Sequence, residues 1–163
     1  MKSIFQTVDS DETETLGEQL ASQFRGQKIF LFGDLGVGKT TFLRGLARGL
    51  KISSKIKSPT FVGEHIHKTS DKENLIHLDL YRAESLEIEK IERLQELFNS
   101  QDTVVMEWSE RLPKKMLPKK RVELRFRELQ NEVRRITLAK FSGGFHSIFS
   151  PMSPRVCRSP SRL

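Results

Sequence analysis

The chain contains a single cysteine, Cys157, which excludes an internal disulfide framework. It also lacks any apolar run close to the roughly 20 residues that a helix needs to cross a bilayer. The first residues, MKSIFQTVD, lack the apolar core of a signal peptide. The 163 residues are enough for one domain with a proper core. These features predict a cytoplasmic protein that does not associate with membranes.

Positive charge is unevenly distributed along the chain, whose formal net charge is +7. Residues 142–163 are rich in Ser and Pro and contain three arginines but no acidic residue. This composition predicts a flexible basic tail after a domain that spans residues 1–141. A second basic cluster lies within residues 114–121. Such charge can steer a protein toward RNA or an acidic partner, and a solvated surface explains it equally well.

A glycine-rich segment carries the clearest chemical signal. Residues 33–40 read GDLGVGKT and fit the phosphate-binding pattern G-x-x-x-x-G-K-[ST]. An apolar run precedes the segment and a helical apolar repeat follows it, which is the strand–loop–helix setting that this pattern requires. In such a loop the backbone N–H groups converge on an anion, the lysine reaches the β and γ phosphates, and the hydroxyl binds Mg²⁺. We therefore expect a nucleotide to bind at Gly33, Asp34, Leu35, Gly36, Val37, Gly38, Lys39, Thr40 and Thr41.

The remaining patterns predict alternating strands and helices. Ser10 and Asp11 offer N-cap oxygens to a first helix that ends near Gly26. Near the C-terminal end, a polar turn at residues 130–132 joins two half-buried strands, which predicts a β-hairpin. The other predicted elements are strands at 28–32, 61–66, 75–79 and 103–108, and helices that begin near Lys39 and span about 84–99.

Two acidic residues, Asp79 and Glu107, follow apolar runs and should stand at the carboxyl ends of strands. Ligands bind at that edge of open α/β sheets, so either acid could hold Mg²⁺, directly or through water, or orient the attacking water. Thr60 lies in a short segment with a proline, where it is a candidate sensor of the γ-phosphate. Trp108 reads as a core aromatic, although its place beside Glu107 puts it close to any nucleotide.

Three histidines, His65, His67 and His77, suggest a metal site at first sight. An H-x-H pair on a strand points both rings to one face. However, no third cysteine or acid stands nearby at a spacing typical of zinc sites, so we interpret these side chains as ordinary surface or partly buried histidines.

Several functions are compatible with a phosphate-binding loop. One alternative to an ATPase is a small-molecule kinase, which would need an arginine-bearing lid, and Arg82 and Arg111 are candidates for it. Another is a non-catalytic RNA-binding or scaffold protein with a vestigial nucleotide site. A GTPase is disfavoured because the chain has no N-K-x-D segment to read guanine.

Five segments together resemble the TsaE (YjeE) family of bacterial tRNA threonylcarbamoyladenosine synthesis. The likeness covers about residues 8–140. It implies a single α/β domain of the P-loop NTPase type, with a largely parallel central sheet flanked by helices and a C-terminal β-hairpin. The matching segments are GDLGVGKTTF at 33–42, RGLA at 44–47, SPTF at 58–61, HLDLYR at 77–82 and VMEW at 105–108.

The same resemblance implies a function and a set of residue roles. The chain would be a weak Mg²⁺-dependent ATPase, monomeric on its own, that sustains the TsaD and TsaB proteins. Those partners transfer a threonylcarbamoyl group to adenosine 37 of tRNAs reading ANN codons, and tRNA would be contacted through their complex. In this family resemblance Lys39 would bind phosphate, and Thr40 and Glu107 would bind Mg²⁺. Asp79 would support catalysis and the metal, and Thr60 would be the switch residue. Ser10 and Thr13 would lie near the adenine, and Trp108, beside Glu107, would contact the nucleotide.

Overall fold

A computed structural model of the chain describes residues 2–54, 56, 63–69, 73–81, 88–129 and 133–141. Within these ranges seven strands form one sheet, in the order β1-β7-β6-β2-β5-β4-β3. The strands are β1 (Lys2–Thr7), β2 (Lys28–Phe32), β3 (Glu64–Lys68), β4 (Asn74–Asp79), β5 (Thr103–Glu107), β6 (Arg121–Glu128) and β7 (Arg134–Phe141). The helices are α1 (Ser10–Phe24), α2 (Lys39–Gly49) and α3 (Ile88–Asn99), and two 3₁₀ turns follow β5 at Ser109–Arg111 and Lys114–Met116.

The centre of the sheet is parallel and its edges are antiparallel. Strands β6, β2, β5 and β4 run in one direction. On one side β7 and then β1 are added antiparallel, and on the other side β3 pairs antiparallel with β4. The predicted α/β class, the largely parallel central sheet and the C-terminal hairpin are therefore confirmed. The parallel register also sets Asp79 directly beside Glu107 at the carboxyl edge.

Alternation along the strands gives the sheet two apolar faces. Ile29 and Leu31 of β2 pack in a cluster with α1 and α2, while Phe30 and Phe32 pack in a second cluster with α3. Helices α1 and α2 approach so closely that a Cβ on Gly45 would lie 1.8 Å from a backbone oxygen of α1. This close contact fixes the position of α2, which begins at the phosphate loop. None of the described helices is long and apolar enough to span a membrane.

The start of α1 differs from the prediction by one residue or more. Asp9, rather than Ser10 or Asp11, is the N-cap, and its Oδ1 accepts a hydrogen bond of 2.7 Å from the backbone N–H of Glu12. The Glu12 side chain accepts one of 2.9 Å in return from the N–H of Val8. These two contacts resemble a capping box, with the returning hydrogen bond taken from the residue before the cap, and they make Asp9 the N-cap.

Strand β1 was not predicted from the sequence. It lies at the edge of the sheet, where Ile4 is 60% exposed and the neighbouring Phe5 packs against the core, so the strand carries no clean run of apolar residues. Its backbone hydrogen bonds come from β7, a partner more than a hundred residues away in the chain. A short edge strand of this kind is stabilised by its partner rather than by its own pattern.

Two predicted boundaries also shift, and a third lies outside the described residues. Strand β3 is found at Glu64–Lys68 instead of 61–66, and residues 61–62 lie outside the described ranges. Helix α3 is described over Ile88–Asn99, which agrees with the predicted end, and the predicted start at residues 84–87 is not described. Strand β5 ends at Glu107 because Trp108 takes a left-handed conformation, with φ of 57°, that cannot continue a strand.

Candidate nucleotide-binding site

The loop between β2 and α2 has the conformation that its glycines predict. Gly38 has φ of 103° and immediately precedes the first residue of α2, Lys39. A residue with a side chain is strained at that φ, so glycine is required where the loop turns into the helix. The loop therefore ends at the positive end of the α2 dipole, which favours anions. Asp34, Leu35 and Gly36 are exposed along the loop, whereas Val37 is buried in the core.

Lys39 is folded back onto the loop. Its Nζ donates hydrogen bonds to the carbonyl oxygens of Gly33, at 2.6 Å, and Asp34, at 2.8 Å. The ammonium also lies 4.1 Å from the centre of the Trp108 ring, and only 4% of the residue is exposed. Burial lowers the pKa of Lys39, while the carboxylate of Glu107 opposes that shift most strongly. The loop thus holds a poorly hydrated cation next to the place where phosphates bind in such loops.

Thr40 and Glu107 are in direct contact. The Thr40 Oγ1 donates to the Glu107 carboxylate and lies 3.0 Å from each of its oxygens. Glu107 is only 2% exposed at the end of β5, although it is a charged residue. Because a buried carboxylate is costly without partners, these contacts are needed to keep it in place. The hydroxyl and the carboxylate therefore meet at the start of α2, where the phosphate loop ends.

A second partner holds the Glu107 carboxylate from the side of β4. The Nε2 of His77 lies 3.0 Å from Glu107 Oε1, and His77 is completely buried. No described residue hydrogen-bonds its Nδ1. A carboxylate only accepts, so the ring hydrogen belongs on Nε2 and His77 donates to Glu107.

Sequence reasoning missed this contact because it treated His77 as an ordinary histidine. The signal was present, since residues two apart on a strand share a face. His77 and Asp79 are two apart on β4, and Asp79 pairs with Glu107 in the neighbouring strand.

Asp79 and Trp108 complete the carboxyl edge of the sheet. Asp79 Oδ1 accepts a hydrogen bond of 2.8 Å from the backbone N–H of Tyr81. The left-handed backbone of Trp108 brings its ring to 4.7 Å from that of Tyr81, between Tyr81 and Lys39. Trp108 is half-buried and belongs to neither apolar cluster, so the expected core position was wrong. Its indole lies beside the Lys39 ammonium at the candidate site instead.

The oxygen atoms gathered here fit a magnesium ion. The hydroxyl of Thr40 and the carboxylates of Glu107 and Asp79 are hard donors of the kind that Mg²⁺ prefers. Mg²⁺ usually takes only one or two protein carboxylates and completes its shell with phosphates and water.

His65 and His67 do not share the position of His77 beside Glu107. His65 is exposed, whereas the Nδ1 of His67 lies 2.7 Å from Ser54 Oγ and burial lowers the pKa of His67.

On its other side the loop borders α1 and β7. A Cβ on Gly38 would lie 3.6 Å from the methyl group of Thr13 and 3.3 Å from Cδ of Arg134. The Thr13 hydroxyl is buried, donates to the backbone oxygen of Asp9 at 2.8 Å, and lies 2.8 Å from the Thr7 hydroxyl. Arg134 was not singled out from the sequence, because no local pattern marks it and only the fold brings β7 beside the loop.

The remaining predicted residues are separate from this cluster or outside the described ranges. Ser10 is exposed in the first turn of α1, and Thr41 is half-buried on α2 beside Thr40. Thr60 lies in a segment that the structure does not describe. The structure therefore brings together the loop, Asp79, Glu107 and Trp108, with Thr13 at the border, and adds His77 and Arg134.

Comparisons with known proteins point to one family. The model of the family described as threonylcarbamoyl adenosine biosynthesis protein TsaE matches residues 7–136. A tRNA threonylcarbamoyladenosine biosynthesis protein TsaE from Bacillus subtilis is 32% identical over 151 residues, covering 91% of this chain and 92% of that protein. The protein of the same name from Synechocystis is 42% identical over 110 residues, covering 64% and 69%. A crystal structure of Bacillus subtilis YdiB matches with a TM-score of 0.70 and 29% identity, covering 87% of each chain.

Proposed function

The chain belongs to the TsaE family of tRNA threonylcarbamoyladenosine biosynthesis proteins, and we propose that it serves this pathway by binding and hydrolysing ATP with Mg²⁺. One observation carries the proposal. The hydroxyl of Thr40 lies within 3.0 Å of both carboxylate oxygens of Glu107, directly behind the phosphate loop. A loop that only bound an anion would not need a buried carboxylate at this point, whereas a metal-dependent phosphate site does.

Each residue has a role in this proposal. The backbone N–H groups of the loop bind the phosphates, and Lys39 exchanges its loop carbonyls for phosphate oxygens. Thr40 and Glu107 hold the metal, with Asp79 beside them. The bound Mg²⁺ supplies positive charge that offsets the charge developing on the transferred phosphoryl group. Asp79, at the carboxyl end of β4, orients the attacking water.

The nucleoside end of ATP is assigned to the other side of the loop. Thr13 and Arg134 border Gly38 there, and Ser10 stands in the first turn of the same helix as Thr13. The indole of Trp108 packs against the ammonium of Lys39, on the side of the loop assigned to the phosphates. The γ-phosphate sensor remains assigned to Thr60 from the sequence.

The partners and the location extend the proposal. We expect a cytoplasmic protein, monomeric on its own, whose hydrolysis sustains a complex of TsaD and TsaB, with tRNA reached through that complex. The catalytic unit is residues 1–141, and residues 142–163 form an appended basic tail. The family to which the chain belongs supports a role in this pathway.

A small-molecule kinase is the second candidate. The guanidinium of Arg111 lies 5.5 Å from the centre of the Tyr81 ring, which in turn contacts Trp108, so an arginine does stand at the rim of the site. A kinase would use such a residue on the phosphate in transfer. It would form ADP without releasing phosphate, and only when an acceptor is present.

The test is to measure ADP and phosphate release by the purified chain, alone and with TsaB and TsaD. A slow release of both products that rises with the partners is expected. Lys39→Ala should abolish it, while Lys68→Ala, which removes an exposed lysine from the far edge strand, should not. Hydrolysis that TsaB and TsaD leave unchanged would contradict the partner role. ADP formation without phosphate release, on addition of small phosphate acceptors to the same assay, would favour the kinase.

A further inference from the structure

One face of the β6–β7 hairpin is turned away from α1 and α2. Val122, Leu124 and Phe126 of β6 pack into the cluster with those helices, as do Ile136 and Leu138 of β7. Because side chains alternate along a strand, the odd-numbered residues of both strands point to the opposite face. That face carries Arg121, Glu123, Arg125 and Arg127 from β6 and Arg135, Thr137, Ala139 and Phe141 from β7.

Two arginines stand directly opposite each other on this face. The antiparallel register pairs Arg127 with Arg135, and both are exposed. Neither forms an ion pair with a carboxylate of the described residues. Like charges at opposed positions of a sheet repel, so this pair lowers the stability of the protein when no ligand is bound. An anionic ligand over the hairpin would remove that cost.

The one acid on the face does not neutralise it. Glu123 is buried and is shared by Arg121 at 2.8 Å and Arg125 at 2.9 Å, so two cations already surround it. The exposed Lys119 and Lys120 stand in the turn that enters β6 and extend the charge beyond the strand.

We call Lys119, Lys120, Arg125, Arg127 and Arg135 the basic strip. The two lysines precede β6, and from Arg121, its first residue, to Arg127 the strand extends about 20 Å, at about 3.3 Å per residue.

Two further contacts give the basic strip its direction and its chemistry. The Arg125 guanidinium lies 4.2 Å from the ring centre of Phe32, the residue before the phosphate loop, so the strip reaches the nucleotide site. Near its other end Phe141 is 39% exposed, and the Arg121 guanidinium lies 4.0 Å from its ring centre. Aromatic rings and guanidinium planes are the surfaces on which unstacked RNA bases stack.

We propose that the basic strip binds the phosphate backbone of an RNA. Arg125 and Arg127 stand at alternate positions of β6, Arg135 lies opposite Arg127, and the two lysines precede the strand, so several cations are available to successive phosphates. Guanidinium groups bind phosphate oxygens in pairs. An adjoining aromatic plane suits a nucleic acid better than an acidic protein surface. Direct RNA contact by this chain goes beyond the proposed ATPase and does not depend on hydrolysis.

The experiment measures binding of a fluorescein-labelled RNA stem-loop to the full chain by fluorescence anisotropy over a range of salt concentrations. Arg127→Ala/Arg135→Ala removes two charges from the basic strip. The control, Lys51→Asn/Lys68→Ala, removes two exposed lysines elsewhere, and asparagine tolerates the left-handed backbone of residue 51. Every variant keeps residues 142–163, so RNA binding through the arginines of that segment is equal in all of them.

The strip variant should bind about tenfold or more weakly than the wild type at low salt, and its salt slope should fall by about one unit for each arginine removed. The control should bind as the wild type does. The strip variant should melt no lower than the wild type, because the opposed charges are gone. If it fails to fold, Lys119→Ala/Lys120→Ala replaces it, with the same expectation.

Two results would overturn the proposal. One is equal RNA affinity in the strip variant and the control. The other is displacement of the RNA by polyglutamate as effectively as by unlabelled tRNA, which would identify the strip as a surface for acidic proteins. ATP hydrolysis by the same variants is expected to be unchanged, and the RNA result stands even if the chain hydrolyses no ATP.

Discussion

His77 donates a hydrogen bond of 3.0 Å to Glu107 inside the protein, where both side chains are shielded from solvent. Thr40 contacts the same carboxylate from the side of the phosphate loop. Glu107 is thus fixed between two strands and a helix before any ligand arrives. In the proposed ATPase this makes His77 a positioning residue, since it acts on the metal only through Glu107.

Replacing His77 by leucine should weaken Mg²⁺ binding by about 10- to 100-fold, the usual effect of losing a hydrogen bond to a metal-binding side chain. His77→Gln should restore much of the affinity, because its amide can donate to Glu107. The measurement is the Mg²⁺ dependence of ATP-analogue binding, with nucleotide binding in EDTA as the control. Equal losses with and without Mg²⁺ would instead indicate a purely structural role.

Glu107→Gln should abolish turnover and leave the fold intact, because the amide keeps the shape but loses the charge that holds the metal. The matched control is Glu110→Gln, the same change at an exposed residue three positions later. Phosphate release and thermal melting should be measured for both variants. A Glu107→Gln protein that melts normally and hydrolyses ATP at the wild-type rate would remove Glu107 from the mechanism.

Lys39→Met should remove nucleotide binding and still not destabilise the protein near neutral pH. Burial lowers the pKa of Lys39 below its usual value of 10.5. The unfolded chain therefore binds more protons between the lowered pKa and 10.5, and the stability of the wild type rises with pH across that interval. Lys39→Met has no titrating group here, so any excess of its unfolding free energy over that of the wild type should shrink as the pH approaches 10.5.

Urea unfolding at several pH values measures the difference between Lys39→Met and the wild type. Nucleotide binding can be followed by the fluorescence of Trp108, the single tryptophan, which lies 4.1 Å from the Lys39 ammonium. A variant clearly less stable than the wild type at neutral pH would show that the hydrogen bonds to Gly33 and Asp34 outweigh the cost of burial.

Gly45→Ala should destabilise the fold, although this change usually stabilises a helix. The added Cβ would lie 1.8 Å from the carbonyl oxygen of Glu14, which neither backbone can accommodate without moving. Overpacking of this kind costs about 1–3 kcal/mol. Arg44→Ala, at the exposed neighbouring position, is the control and should cost under about 1 kcal/mol. Equal midpoints of urea unfolding would contradict the close packing of α1 on α2.

Removing residues 142–163 should leave ATP binding intact, because the proposed nucleotide site is built from residues before Phe141. Titration of Trp108 fluorescence with ATP in the full chain and the truncated chain measures this. A large loss of affinity on truncation would make the basic tail part of the site.

Local pattern was enough to predict much of the candidate site. The glycines of the loop require particular backbone angles, and Gly38 shows the expected positive φ. Asp79 and Glu107 each end an apolar run, so two parallel strands had to bring them to one edge. His77 carried a local signal, its spacing of two residues from Asp79, but its contact with Glu107 and the place of Arg134 beside the loop depend on which strands become neighbours.

The amino-acid sequence by itself determined the phosphate loop, the helix that follows it and the two faces of most strands, because glycine sterics and side-chain alternation act over a few residues. The tertiary structure decided the strand order, the pairing of β1 with β7, the contact of His77 with Glu107 and the opposition of Arg127 to Arg135. These relationships join residues far apart in the chain. They form only when the whole sheet and its two apolar faces offset the entropy of closing the long loops between them.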